Sequence, residues 1–342
     1  MPETPDTPVR MHGLARFENR LHRWREQRAR KRGRTPSVVP FHCYGGPGWV
    51  RVVGRVLIVR PRKRTKNGEL ASVRGWRSFV GIPVSFAEVE VHIGGETHQL
   101  RADRGGVVDS VVPVSLAAGW QDFEMSVEGQ EPVPARTFVV GADVTFGVVS
   151  DVDDTVMVTA LPRPLLAAWN SFVVDEHARQ PVPGMAVLLD QLIVQHPGSP
   201  IVYLSTGAWN VAPTLARFLS RHLFPKGAML LTDWGPTHDR WFRSGREHKL
   251  RNLRRLAGEF PHVRWLLIGD DGQHDEAIYL QFQDENPDNV AGIAIRQLSA
   301  TEAVLAGGRA PDPDHESDSA PWVAASDGAG LRRKLTRVGL MR

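Results

Sequence analysis

The stretch Val144-Thr-Phe-Gly-Val-Val-Ser-Asp-Val-Asp-Asp-Thr155 has the apolar run of a buried strand and ends in two carboxylates, Asp151 and Asp153. Side chains at i and i+2 of an extended chain point to one face, so these two acids converge where the strand meets its loop. Like charges held that close repel unless a cation or a shared proton compensates them. The pair therefore implies a metal site, an acid/base pair, or both. The competing reading is a strand-ending turn, because Asp and Thr also favour turns and helix caps.

Working outward, the chain beyond Val144 alternates strand and helix patterns. Pro183–Ile193 reads as a helix with proline near its first turn, Ile201–Leu204 as a short buried strand, and Pro213–Leu223 as a helix. Ala228–Leu231 and Arg264–Ile268 read as strands, and Glu247–Leu256 as a helix stopped by Gly258. Such alternation predicts an α/β fold, a Rossmann-like parallel sheet covered on both faces. Ligands of open parallel sheets bind beyond the carboxyl ends of the strands. The residues there are Asp151 and Asp153, then Ser205, then Asp270, Asp271 and Asp275, with Lys249 expected in the first turn of its helix. Carboxylates, a hydroxyl and an ammonium group are the parts of a phosphoryl-transfer site. Each also has a plainer use. Ser205 can cap a helix, Lys249 can be solvated with Arg243, Arg246 and Arg251 competing for its role, and the acids can form a loop. Their occurrence in order at three strand ends and on one helix favours the site.

An Asp-x-Asp-x-Thr after a strand, a strand-ending Ser, a helix Lys and Gly-Asp-x(4)-Asp resemble the haloacid dehalogenase superfamily of phosphohydrolases. Asp151-Val-Asp-Asp-Thr, Tyr203-Leu-Ser-Thr-Gly-Ala-Trp209 and Gly269-Asp-Asp-Gly-Gln-His-Asp-Glu-Ala-Ile-Tyr279 are similar to its actin-patch phosphatidate phosphatase family. The chain carries Asp271, Gln273 and Ala208 where that pattern has Ser, Glu and Pro, which bears on substrate more than on chemistry. The resemblance implies a haloacid dehalogenase-type domain and a magnesium-dependent phosphomonoester hydrolase working through an aspartyl-phosphate. Asp151 would be the nucleophile, Asp153 the acid and then the base, and Ser205 and Lys249 the groups on the phosphoryl oxygens. Mg2+ would lie on Asp151, Asp153 through its carbonyl, Asp270 and Asp275, while Thr155 would lock the loop by a hydrogen bond. The stretch 156–182 is too short for a large independent cap, so a minimal cap and an open site are expected.

Ahead of this domain, residues 36–143 hold short strand patterns such as Trp49–Val59, Val84–Ile93 with its Gly94-Gly95 hairpin, Val107–Val114 and Trp120–Val127. They predict a small antiparallel β-sandwich. Residues 1–35 contain ten Arg or Lys between Arg10 and Arg34 against Glu18 and Glu26, with Leu14, Phe17, Leu21 and Trp24 at helical spacing. A basic amphipathic helix suits a membrane surface or an acidic partner, or packs its stripe on its own domain. The charged loop Arg60–Lys66 adds to this basic character. The catalytic domain is expected over 144–306 and a flexible tail over 307–342, Pro/Asp/Ser/Gly-rich over 307–330 and basic over 331–342, where a short helix on the same acidic surface as the N-terminus is the alternative.

The overall charge of +4 is mild, and no nucleic-acid recognition motif is found, so no nucleic-acid partner is expected. A single cysteine, Cys43, excludes a disulfide framework and a cysteine-rich metal site. With no membrane-spanning apolar run and no secretory pattern at Met1–Asp6, a cytoplasmic protein with peripheral contact at the inner membrane surface is expected. The aromatics Trp169, Phe172, Trp209, Trp234, Trp241 and Phe242 fall near the site loops, and with the basic N-terminus they make an anionic lipid phosphate, phosphatidate, the leading substrate. The alternatives are a phosphatase for a soluble metabolite or phosphoprotein, and a non-enzymatic interaction protein built on the β-sandwich.

Overall fold

The computed structural model describes residues 28, 32–59, 81–158, 180–232, 241–272 (backbone only over 241–244), 274–299, 302 and 320–342. The expected N-terminal helix, the loop 60–66, Gln273, and the aromatic side chains of Trp169, Phe172, Trp234, Trp241 and Phe242 lie outside the described residues.

The N-terminal strands are β1 (Thr35–Pro40), β2 (Cys43–Gly46), β3 (Trp49–Val59), β4 (Ile82–Pro83), β5 (Glu88–Ile93), β6 (Glu96–Arg101), β7 (Val107–Pro113), β8 (Gly119–Val127) and β9 (Val133–Val139). They form one nine-stranded network in which every pair is antiparallel except β2 with β9. The long strand β3 pairs with β2 and β7 over its first half and with β1 and β4 over its second. Burial alternates along β5, β8 and β9, so each turns one apolar face inward. Val52, Val56, Val89, Val91, Phe123 and Met125 meet there.

The second part comprises β10 (Phe146–Asp151), the short ladder β11 (Met157–Val158) with β12 (Gln180–Pro181), α1 (Met185–Gln195), β13 (Ile201–Ala208), α2 (Ala212–Arg221), β14 (Ala228–Thr232), α3 (Trp241–Glu259), β15 (Arg264–Asp270), α4 (Asp275–Glu285), β16 (Val290–Arg296), β17 (Trp322–Ala325) and α5 (Gly328–Arg337). Six strands form a parallel sheet in the order β14-β13-β10-β15-β16-β17. The chain starts at the centre, winds to one edge, returns and winds to the other. Its turning point lies between β10 and β15, where the loops after the two strands diverge and leave a crevice.

The strands are apolar on both faces because helices cover both. Val148, Tyr203, Leu266 and Ile268 face α1, α2 and α5 through Leu188, Leu192, Leu215 and Leu331. Val149, Val202, Leu204 and Leu267 face α3 and α4 through Leu253, Leu256, Ile278 and Phe282.

Two expectations are corrected. Helix α3 begins at Trp241 rather than near Glu247 and runs through Gly258. One glycine near a helix end costs only about 1 kcal/mol, and Pro261 lies beyond the last turn. Lys249 is therefore mid-helix, away from the N-terminus of its own helix. Residues 320–342, expected within a flexible tail, are a strand and a helix. β17 extends the parallel sheet from β16, and Leu331 and Leu335 of α5 are fully buried. Composition across 307–330 hid a short apolar strand, Trp322–Ala325, that the edge of the sheet can pair. Docking of α5 depends on Gly184, at φ 75°, and Gly328, where a Cβ would lie 2.3 Å from the Gly184 carbonyl carbon.

Candidate active site

Asp151 is the last residue of β10 and Asp270 the last of β15, so the two acids stand on either side of the turning point. Asp275 opens α4, and Lys249 reaches in from the middle of α3. All four are buried; Asp151 is 2% exposed, Lys249 3%, and Asp270 and Asp275 0%. The Lys249 ammonium pairs with Asp151 Oδ1 at 2.6 Å and with Asp275 Oδ1. Carboxylate oxygens of Asp151, Asp270 and Asp275 lie within 4.8 Å of one another. Asp270 Oδ1 accepts the Gly272 N–H (2.8 Å). Asp275 Oδ2 is buried without a hydrogen-bond partner among the described residues.

One ammonium faces three carboxylates. Burial pushes the Asp151 carboxyl well above the ordinary carboxylate range; Lys249 pulls it down, while Asp275 and Asp153 push it up again. Burial likewise raises Asp270, helped by Asp275 and Asp151. Burial opposes the charge on Lys249, but Asp151 and Asp275 outweigh it and raise its pKa. Buried charges in excess of their partners are costly, and a hard cation with oxygen ligands removes the excess. The donor set is all oxygen and the Asp275 Oδ2 atom is unclaimed, so the triad fits a metal ion.

Asp153 is half-buried just past the strand. Its Oδ2 accepts the Ser205 hydroxyl at 3.1 Å, and Ser205 Oγ in turn accepts the Gly207 N–H at 2.9 Å. Ser205 thus shapes its own turn and also fixes Asp153; β13 runs through it to Ala208 and no helix is capped by it. The loop 152–157 is a tight turn in which the Val156 and Met157 N–H groups donate to the Val152 carbonyl. Asp154 adopts φ 57°, a left-handed conformation uncommon outside glycine.

The structure thus gathers Asp151, Lys249, Asp270 and Asp275 into one cluster and links Asp153 to Ser205 beside it. Asp271 is turned away, its Oδ1 accepting the Leu298 N–H (2.8 Å). The hydrogen bond expected from Thr155 is not made among the described residues; its hydroxyl is buried without a partner. The expected openness does not extend to Asp151 itself, whose carboxylate is enclosed by Lys249, Asp275 and the strand ends. Trp209, expected near an interface, is buried and stacks on Phe41 with ring centroids 4.9 Å apart. That stacking joins the β-rich part to the loop after Ser205. At the far end of α3, Tyr44 Oη donates to Glu259 Oε2 (2.7 Å), and Arg51 pairs with Glu259 and Asp109.

Arg296 and Tyr279 were passed over by the sequence reading. Arg296 ends β16 almost fully buried. Its Nη1 donates to the Asp154 carbonyl (2.7 Å), Nη2 pairs with Glu302 Oε1 (2.6 Å), and Nε donates to the Ser326 carbonyl (3.3 Å). The available signal was the one used for Asp151, a charge ending the apolar run Val290–Ile295. The Tyr279 hydroxyl donates to the Ile268 carbonyl (3.0 Å). Beside its ring, a Cβ on Gly269 would lie 2.6 Å from Asp275 Oδ2 and 2.8 Å from the ring edge, so only glycine lets α4 close on β15.

Among solved structures, one of the Pnkp1/Rnl/Hen1 RNA repair complex is 17% identical, with 46% of this chain and 44% of that chain covered at a TM-score of 0.33. XAC1771, a carbohydrate acetylesterase from Xanthomonas citri, is 10% identical over 80% of this chain and 73% of its own at 0.29, and PhoD is 9% identical over 76% and 70% at 0.28. The chain spans less than half the length of the first of these, and at such similarity none bears on activity. No curated protein matches the chain. Residues 146–297, from β10 through the end of β16, match the family model of the catalytic domain of phosphatidate phosphatase APP1. That model describes a haloacid dehalogenase-like family of phosphoric monoester hydrolases, and the match covers the parallel-sheet part of this chain.

Proposed function

We propose that this chain is a magnesium-dependent phosphatidate phosphatase that works through an aspartyl-phosphate and releases diacylglycerol. The observation that supports this reading best is the buried Asp151–Lys249–Asp275–Asp270 cluster at the turning point of a sheet whose family hydrolyses phosphoric monoesters.

Asp151 is the nucleophile. As a carboxylate it needs only to be positioned and partly neutralised, and Lys249 at 2.6 Å does both. Asp153 gives a proton to the departing alkoxide and then takes one from the water that cleaves the acyl-phosphate. One residue serves both steps because the first leaves it deprotonated. The Ser205 hydroxyl, already bonded to Asp153, and the Lys249 ammonium stabilise the non-bridging phosphoryl oxygens. Asp151, Asp270, Asp275 and the Asp153 carbonyl are the groups that would hold Mg2+, which would supply Lewis-acid stabilisation of charge on the phosphoryl group. The low exposure of Asp151 keeps bulk water from the nucleophile.

No helix of the described residues is long and apolar enough to cross a membrane. The lipid surface is met peripherally, through the cationic residues between Arg10 and Arg34. The test is release of phosphate from phosphatidate in mixed micelles with magnesium, comparing the unaltered protein with Asp151→Asn. Turnover that the substitution lowers by at least about a hundredfold supports the reading. Equal, negligible turnover by both on phosphatidate and on a panel of soluble phosphomonoesters sinks it. Liposome sedimentation with and without residues 1–34 separates a lipid enzyme from one acting on soluble esters.

A further inference from the structure

We infer that Arg296, oriented by Glu302 and the Ser326 carbonyl, is a positioning residue that holds the general acid/base Asp153 in place. The inference rests on the role proposed above for Asp153. The family match ends at residue 297, so two of the three groups that orient or receive this guanidinium lie outside it.

The loop that carries Asp153 has an intrinsic weakness. Asp154 stands at φ 57°, and a non-glycine residue there costs about 1 kcal/mol or more unless its surroundings hold it. Two backbone bonds inside the turn, Asp154 N–H to the Met157 carbonyl (2.8 Å) and Val156 N–H to the Val152 carbonyl (3.0 Å), leave the Asp154 carbonyl pointing out of it. Arg296 Nη1 takes that carbonyl at 2.7 Å.

A guanidinium is a rigid planar fork, so fixing its other donors fixes this one. Glu302 Oε1 takes Nη2 at 2.6 Å, and Glu302 Oε2 is itself held by the Ser299 N–H at 2.8 Å. The Ser326 carbonyl, just past β17, takes Nε at 3.3 Å. Asp153 is then constrained from both sides, by Ser205 at its carboxylate and by Arg296 at the carbonyl of the next residue, Asp154. The C-terminal strand and helix, which complete the sheet, thereby also complete the active site.

The test separates a misplaced proton donor from a merely weakened fold. Expulsion of a strongly basic alkoxide, as from dioctanoyl phosphatidate, needs the proton from Asp153. Expulsion of weakly basic nitrophenolate from p-nitrophenyl phosphate does not. Glu302→Gln keeps shape and fold, while Arg296→Lys keeps charge and loses the fork. Each is expected to lower the single-turnover rate of leaving-group release, which precedes the water step that both substrates share, by about tenfold or more with dioctanoyl phosphatidate and by less than about threefold with p-nitrophenyl phosphate, as Asp153→Asn does more strongly. Equal losses on both substrates, or none, in Glu302→Gln and Arg296→Lys overturn the positioning role while leaving the proposed function intact. Absence of selectivity in Asp153→Asn overturns the acid role itself, and this inference with it.

Discussion

Replacing Lys249 by methionine keeps most of the side-chain volume and removes the one ammonium group from a cluster of three buried carboxylates. The Lys249–Asp151 contact of 2.6 Å is worth roughly 6 kcal/mol at an effective dielectric of about 20. Desolvating the ammonium consumes several kcal/mol of that. What remains in the variant is uncompensated buried negative charge, and breaking a buried pair in this way costs about 3–5 kcal/mol. The loss should depend on pH in a definite direction. Burial already raises Asp151 and Asp270 above the ordinary carboxylate range, and removing Lys249 raises them further. Groups whose folded pKa lies above the unfolded value destabilise the fold most above the folded pKa. That penalty shrinks as pH falls toward about 3.9, the ordinary aspartate value. Urea unfolding followed by tryptophan fluorescence, in chelator, should therefore show the variant about 3–5 kcal/mol less stable at pH 7, with the gap closing as pH falls. Magnesium should narrow the gap at pH 7, since a cation binds three carboxylates without the lysine more tightly than the same three beside it, and each tenfold in affinity adds about 1.4 kcal/mol to the variant over the unaltered protein at saturation. A variant within about 1 kcal/mol of the unaltered protein at pH 7, with a difference indifferent to pH and magnesium, would refute the idea that Lys249 neutralises this cluster.

Two further outcomes are expected. His248, beside Lys249 in sequence, is buried and hydrogen-bonded to the Leu230 carbonyl; burial lowers its pKa to about 4. Its stability contribution is complete above about pH 6.5 and falls away toward pH 4, by up to about 3 kcal/mol. His248→Gln should therefore flatten the unfolding free energy between those pH values, and a slope equal to that of the unaltered protein would show that another group is responsible. Gly269→Ala places a methyl group 2.6 Å from Asp275 Oδ2, which should cost about 1–3 kcal/mol through overpacking and weaken magnesium binding measured by calorimetry. An affinity within about twofold of the unaltered protein would show that Asp275 is not a ligand.

The sequence by itself determined the strand ends and their chemistry. Asp151, Asp153, Ser205 and Asp270 were legible because each polar residue closes an apolar run, and a polar group at such a point is either a turn or a site. Alternation of strand and helix was enough for an open parallel sheet, since strands apolar on both faces require cover on both. Tertiary structure decided the remainder. The position of Lys249 depends on where α3 begins, and local propensity is weak at helix ends compared with the packing that extends them. Asp271 and Asp275 differ by four positions in one acidic loop, yet one bonds to the Leu298 backbone and the other joins the cluster. Only the turn between β15 and α4 separates them. Trp322–Ala325 was masked by the polar composition around it, because an edge strand is defined by the partner it pairs with, and the docking of α5 onto the sheet followed from that pairing. Arg296 reaches Asp154, Glu302 and Ser326 across long stretches of chain. No spacing rule connects residues that meet only after the sheet has closed around them.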